Sequence, residues 1–122
     1  MIRFRYFVDD VEQAIAFYTS NLGFRLEGNF APAVGILEHS GFHLIVAGPR
    51  ASASKPMTDG STPESGGWNR IVIDVENLAE FVLKLRENGV KFRNEILAGH
   101  GGSKQIVCED PWGNPIELFQ PG

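Results

Sequence analysis

Residues 2–26 read IRFRYFVDDVEQAIAFYTSNLGFRL, and residues 71–92 read IVIDVENLAEFVLKLRENGVKF. In both stretches an alternating segment is followed by a polar pair, an amphipathic segment, a glycine and a second apolar segment. The two copies lie about 66–67 residues apart, a spacing that lets each one form half of a domain. The repeat therefore predicts a pseudo-symmetric body of two modules, and bodies of this kind usually place a ligand site between their halves.

The first module reads as a strand, a helix and three further strands. Met1–Val8 alternates as a strand does, and Asp9 or Asp10 precedes Val11–Leu22, whose apolar residues recur at helical spacing. Gly23 falls where a helix commonly ends in a left-handed residue. The remaining predicted strands of this module are Phe24–Glu27, Ala33–Glu38 and Phe42–Val46.

The second module repeats this order. Asn69–Val75 alternates as a strand, Leu78–Asn88 has a helical apolar stripe that ends at Gly89, and Ala98–Gly102 reads as a flexible loop. Two sets of strand, helix and three strands predict an α+β fold made of tandem βαβββ modules. The later strands of this module are predicted at Val90–Asn94, Gln105–Glu109 and Pro115–Gln120.

The domain organisation follows from a change in composition between the modules. Ala47–Trp68 is rich in Gly, Pro, Ser and Ala and has almost no apolar periodicity. We expect one domain over 1–122, with module one at about 1–48, a linker at about 49–67 and module two at about 68–122. The segment is longer than most connections, so it reads either as a linker or as a lid over a site.

Charge and cysteine content limit the classes of partner. The formal net charge is −4, which disfavours nucleic acid because phosphate binding needs a basic face. No apolar run is long enough to predict a membrane span. Cys108 is the single cysteine and cannot form an internal disulfide, so a reducing, cytoplasmic location is the expectation.

Two short motifs resemble a known family. Phe17-Tyr18 followed by Asn21-Leu22-Gly23-Phe24, together with Asp110-Pro111-Trp112-Gly113-Asn114-Pro115-Ile116-Glu117-Leu118, resembles the vicinal oxygen chelate superfamily of glyoxalases, bleomycin resistance proteins and extradiol dioxygenases. The resemblance covers essentially the whole chain. It implies a curled, cup-shaped mixed sheet with helices outside, and it also implies a homodimer.

Enzymes of that superfamily hold a divalent metal in the cup. The resemblance assigns the usual ligand positions to Arg3, Ile45, Arg70 and Glu117. Arginine stays protonated and isoleucine has no lone pair, so three of these positions cannot bind a metal, whereas catalytic metals need about three protein ligands. His43 lies on the same strand face as Ile45 and could add one donor. We therefore predict no metal and no cofactor.

The same positions predict a ligand site. Arginines in a cup need a carboxylate, either from the protein or from a ligand. Arg3 and Arg70 are thus expected either to bind an anionic ligand or to pair with Glu117, and both readings stay open at this stage. The predicted ligand-binding residues are Arg3, Arg5, Phe7, His43, Arg70, Glu117 and Phe119.

The resulting hypothesis is a glyoxalase/bleomycin-resistance-like protein that binds a small, anionic organic molecule without a metal centre. The alternative is a glyoxalase-like lyase, isomerase or dioxygenase that uses a divalent metal with rearranged ligands. A third reading is a structural or regulatory partner domain. The sequence leaves open whether any reaction is catalysed, because function lies in the site and not in the fold.

Overall fold

The computed structural model describes all residues, 1–122, as two compact units, Met1–Ser65 and Gly66–Gly122. Each unit contains a single α-helix and a mixed sheet, four-stranded in the first unit and five-stranded in the second. Each repeats the order strand, helix and further strands, so the predicted α+β fold with tandem βαβββ modules is confirmed. Neither helix is long and apolar enough to cross a membrane.

In the first unit the first and last strands are neighbours. The sheet order is β1-β4-β3-β2, in which β1 runs parallel to β4 and the other pairs are antiparallel. The elements are β1 (Arg3–Phe7), α1 (Val11–Asn21), β2 (Arg25–Phe30), β3 (Val34–His39) and β4 (Phe42–Ala47).

The helix α1 begins and ends where its sequence predicts. The Asp10 carboxylate accepts a hydrogen bond from the Gln13 backbone N–H at 3.0 Å, which satisfies one of the free amides of the first turn. Gly23 has φ of 74°, a left-handed conformation that favours glycine. Val11, Ala14, Ile15 and Tyr18 form the buried face of the helix.

The second unit has the same topology with one additional strand. Its sheet order is β5-β9-β8-β6, with β5 parallel to β9, and β7 pairs with β8. The Asn77 side chain caps the helix by accepting from the Glu80 N–H at 3.1 Å. The elements are β5 (Ile71–Asp74), α2 (Leu78–Glu87), β6 (Lys91–Phe92), β7 (Leu97–Ala98), β8 (Lys104–Glu109) and β9 (Pro115–Gln120).

Three details differ from the sequence prediction. Strand β2 continues to Phe30, past an irregularity in register between Leu26 and Gly28. Strand β6 is only two residues long, and β7 with the 3-10 turn at His100–Gly102 lies where a flexible loop was predicted. These differences share a cause, because the length of a strand depends on the partner available to it and not only on its own alternation.

The segment between the modules is folded in part against the first unit. It contains a 3-10 turn at Ser52–Ser54, Ala51 is buried, and the Ser54 hydroxyl donates to the Gly48 carbonyl at 2.7 Å. A cleft of about 400 Å³ lies in the first unit, between the ends of β1 and β4 and this segment. Its lining residues include Phe7, Val8, Ala47, Pro49, Ser54 and Pro63.

Candidate functional site

Strand β1 presents its predicted site residues on one face and its core residues on the other. Tyr6 is buried on the core face, where its ring stacks on Tyr18 with centroids 6.3 Å apart. Because side chains alternate along a strand, Arg3, Arg5 and Phe7 point to the opposite face. Arg3 and Arg5 are exposed and Phe7 is half-buried.

The register of the sheet brings another predicted residue to this face. Arg3 lies beside His43, and Arg5 lies beside Ile45, in the parallel β1–β4 pair. His43 in turn lies opposite Glu38 of β3 in the antiparallel β3–β4 pair. Arg3, His43 and Glu38 therefore form one row across the sheet.

The structure places a carboxylate network on the His43 side of this row. His43 Nε2 lies 2.8 Å from Glu27 Oε2, and Arg25 Nη2 lies 3.5 Å from Glu27 Oε1 and 3.2 Å from Glu38 Oε1. The Gly41 N–H donates to Glu38 Oε2 at 2.7 Å, and this bond together with Arg25 lowers the pKa of Glu38. Glu27 and Glu38 are thus already matched by cationic or donor groups.

Arg3 and Arg5 differ from the other cations on this face. Neither arginine lies within ion-pair distance of a carboxylate of its own unit. Both residues are exposed to solvent. Two adjacent positive charges with no carboxylate partner in the unit are therefore available to an anion.

In the second unit, Arg70 and Glu117 form an ion pair. This pairing was one of two possibilities that the sequence left open for Arg70, the other being the binding of an anionic ligand. Arg70 Nε and Nη2 lie 3.0 Å and 2.8 Å from the same oxygen, Glu117 Oε1, and Arg70 Nη1 donates to the Trp68 carbonyl at 3.2 Å. The side chains are 27% and 12% exposed. Arg70 is therefore largely neutralised within its unit.

Phe119 lies on the same face of β9 as Glu117, two residues further along the strand. It is half-buried, and its neighbours in register are Asp74 of β5 and Gln105 of β8. The structure thus groups Arg70, Glu117 and Phe119 on one face of the second unit, as it groups Arg3, Arg5, Phe7 and His43 on one face of the first.

A second arginine cluster in this unit was not foreseen from the sequence. Arg93 Nε lies 2.7 Å from Glu109 Oε2, and its two terminal nitrogens donate to the carbonyls of Gly67 and Gly113 at 2.8 Å and 2.9 Å. The guanidinium carbon lies 4.8 Å from the centroid of the Trp68 ring. Each of the three guanidinium nitrogens thus contacts an acceptor of the same unit, so Arg93 fixes local structure.

Cys108 is not a candidate nucleophile. It is buried, and burial raises the pKa of its thiol to about 12. The reactive form of cysteine is the thiolate, which this environment disfavours. Cys108 therefore packs in the core of the second unit as a small apolar residue.

The chain's donor set does not fit the family's metal. Arg3, Ile45 and Arg70 have no lone pair to donate, and Glu117 Oε1 already accepts two hydrogen bonds from Arg70. No group of three His, Cys, Asp or Glu side chains lies together in a way that could hold a metal ion.

Comparison with known proteins identifies the family. Residues 1–118 match the family described as the Glyoxalase/Bleomycin resistance protein/Dioxygenase superfamily. The chain belongs to this superfamily. The match spans nearly all of both units, so the resemblance predicted from the two motifs is confirmed. No curated protein matches the chain at a significant level.

Solved structures of the glyoxalase superfamily share its fold. A superfamily member from Sphaerobacter thermophilus DSM 20745 is 23% identical with a TM-score of 0.78, covering 99% of this chain and 97% of that one. Lactoylglutathione lyase from Agrobacterium tumefaciens is 17% identical with a TM-score of 0.73, covering 98% and 92%. The fosfomycin resistance protein FosX from Listeria monocytogenes is 13% identical with a TM-score of 0.76, covering 100% and 93%. At these identities the similarity shows a shared fold.

Three charged residues near His43 in this glyoxalase-superfamily chain were not predicted as site residues: Arg25, Glu27 and Glu38. A signal for Glu38 was present, because the two-residue turn at Ser40-Gly41 sets a hairpin register that pairs Glu38 with His43. No comparable signal existed for Glu27. It lies at the register irregularity between Leu26 and Gly28, which alternation cannot predict.

Proposed function

We propose that this protein binds a small, anionic organic molecule without a metal centre, and that Arg3 and Arg5 hold its acidic group. The observation that supports the proposal is the pair of exposed arginines on one face of β1 with no carboxylate partner in their unit. Guanidinium groups bind carboxylate and phosphate oxygens through charge-assisted, often bidentate hydrogen bonds.

The rest of the face supports a ligand with an apolar or aromatic body. Phe7 follows Arg5 by one strand period and lines the cleft of about 400 Å³, a size typical of small-molecule sites. Asp9 and Glu64 also line this cleft and would repel an acidic group. The acidic group of the ligand would therefore point along β1 toward Arg5 and Arg3, with its apolar body against Phe7.

The second unit supplies a more neutral face. Arg70 is paired with Glu117, so it offers less free positive charge than Arg3 or Arg5. Phe119 adds an aromatic surface beside this pair. We propose that Arg70, Glu117 and Phe119 bind uncharged polar and apolar parts of a ligand, and that His43 contributes a polar group on the first unit.

The alternative function is a lyase, isomerase or dioxygenase that uses a divalent metal. It needs about three donor side chains, and three of the family's four ligand positions here are occupied by residues that cannot donate. Nothing in the geometry favours it over anion binding.

We also propose that the protein acts as a homodimer.

The proposal is tested by calorimetric titration of benzoate, with benzyl alcohol and benzylamine as neutral and cationic analogues. We expect benzoate to bind most tightly. Arg3→Met and Arg5→Met should each weaken benzoate binding by about tenfold, equivalent to roughly 1.4 kcal/mol. Arg86→Met is the matched control, because Arg86 is an exposed arginine of α2 whose loss should leave affinity unchanged.

Two outcomes would overturn the proposal. One is binding of benzylamine as tight as that of benzoate, which would show that positive charge does not select the ligand. The other is unchanged benzoate affinity in the double variant Arg3→Met/Arg5→Met, which would leave both arginines as surface residues without a role in binding.

A further inference from the structure

His43 lies against a carboxylate of β2. Its Nε2 lies 2.8 Å from Glu27 Oε2, and the two side chains are 21% and 35% exposed. We assign the proton of the neutral imidazole to Nε2, the ring nitrogen next to the Glu27 carboxylate. In the neutral imidazole this leaves the lone pair on Nδ1, which is the arrangement of a histidine oriented for proton transfer.

The Nδ1 atom is open to a ligand or to water. His43 makes no hydrogen bond through Nδ1, and the chain contains no buried side-chain nitrogen or oxygen without a partner. Nδ1 therefore reaches solvent. A water molecule can bind there without displacing any protein group.

The groups around His43 suit a base that becomes a cation. From β2, Glu27 and Arg25 face it; from β3, Glu38 does; and from β1, Arg3 lies beside it in register. Glu27 Oε2 lies 2.8 Å from His43 Nε2, and Arg25 Nη2 donates to the other oxygen, Glu27 Oε1, at 3.5 Å. The carboxylate and the imidazole thus act as a unit.

The arginines of β1 supply the other half of a reaction site. Arg3 is the neighbour of His43, while Arg5 and Phe7 follow in order on the same face, each roughly 7 Å further along the strand. Along this face, Phe7 is followed by two cations, Arg5 and Arg3. His43, a base with access to water, lies next to Arg3. A cation beside the reacting carbon can stabilise the oxyanion that forms when water adds to an ester.

We propose that this face hydrolyses an ester placed next to the carboxylate of an aromatic acid, with His43 as general base and Glu27 as its positioning residue. The proposal rests on the anion-binding function proposed above. For this substrate Arg5 holds the carboxylate and Arg3 stabilises the tetrahedral oxyanion. His43 Nδ1 takes a proton from water as the water oxygen bonds to the ester carbon. Collapse breaks the carbon–oxygen bond, and His43 returns the proton to the leaving phenolate, so the products are a carboxylic acid and a phenol.

Acetylsalicylate is the probe, because it carries an acetyl ester next to the carboxylate of an aromatic ring, as the proposal requires. Release of salicylate is followed by absorbance against a protein-free blank. We expect the wild type to exceed the blank, and His43→Gln to fall to it while still binding salicylate within about twofold of the wild type. Glu27→Gln should lower kcat by about tenfold with little change in KM, because it removes orientation and not the base.

Two controls separate catalysis from folding. His39→Gln removes a histidine of β3 that bonds to Ser40 and packs against Phe24, and its rate should match the wild type. Added imidazole should restore part of the rate to His43→Ala, which a purely structural role for His43 would not allow.

The outcomes distinguish this inference from the function on which it rests. Salicylate binding without hydrolysis above the blank overturns the inference and leaves anion binding intact. Absence of both salicylate and benzoate binding overturns both. A full rate in His43→Gln, or no rescue by imidazole, overturns the assignment of the base.

Discussion

Arg70 donates two hydrogen bonds to a single oxygen of Glu117, at 3.0 Å from Nε and 2.8 Å from Nη2. The arginine precedes β5 and the glutamate lies in the middle of β9, 47 positions later in the chain. Arg70 and Glu117, two residues at ligand positions of the family, thus pair with each other. Glu117 is only 12% exposed, so this pairing has consequences for stability as well as for metal binding.

Replacement of Arg70 should destabilise the protein. Arg70→Met leaves the Glu117 carboxylate mostly removed from water and without its charged donor, at an expected cost of about 1–3 kcal/mol in the free energy of unfolding. Urea denaturation measures this cost. The matched control is Arg86→Met, whose partner Glu95 is 88% exposed and whose loss should cost under about 1 kcal/mol. Equal losses in the two variants would contradict a stabilising role for the Arg70–Glu117 pair.

We expect the protein to be metal-free when purified without chelators. Elemental analysis after dialysis against zinc or nickel should find far less than one equivalent per chain, because the family's ligand positions hold Arg3, Ile45 and Arg70. Any small amount of bound metal should be lost in His43→Gln, because His43 and Glu27 form an imidazole–carboxylate pair whose atoms could act as metal ligands. Near-stoichiometric metal in the wild type would contradict the prediction and favour the metal-dependent alternative.

A homodimer is the expected form in solution. Each unit has a strand at the end of its sheet order, such as β1 in the first unit and β5 in the second, and such strands can be covered by assembly. Light scattering at micromolar concentration should give about twice the mass of 13.4 kDa. A mass of one chain that persists as concentration is raised would count against the dimer.

Cys108 should make stability depend on pH in the alkaline range. Burial raises the pKa of its thiol from 9.0 to about 12, so above pH 9 the unfolded chain loses this proton while the folded chain keeps it. The folded state then binds more protons, and the free energy of unfolding falls as pH rises from about 9 toward 12. Below pH 9 this group has no effect on the pH dependence, because the thiol is protonated in both states.

The measurement is urea denaturation at about pH 8 and about pH 10.5, in the wild type and in Cys108→Ala. The variant is less stable at both pH values because it leaves a small cavity, but its loss between them should be smaller. An identical loss in both proteins would show that ionisation of the thiol does not contribute. In the folded wild type, the thiol should also resist labelling by a disulfide reagent at about pH 8.

Local residue patterns were sufficient to predict the elements and the family. Asp10 caps α1 and Gly23 has the left-handed φ expected after it, because both features depend on residues only a few positions apart. The turn at Asp110 is also local: its carboxylate accepts from the backbone N–H groups of Trp112 and Asn114 at 3.0 Å and 2.9 Å. All residues that form such a cap or turn lie within one short stretch of sequence, so the sequence alone is enough to predict it.

The repeat, the two helices, most of the strands and the faces on which Arg3, Arg5 and Glu117 lie follow from local patterns, because alternation and capping are properties of neighbouring residues. Which charges meet depends on the tertiary structure. Glu27 reaches His43 through an irregular register in β2, and Glu117 takes Arg70 as its partner. Such pairings depend on how separate strands align, and that alignment is set by non-local packing of whole sheets, which spacing along the chain does not encode.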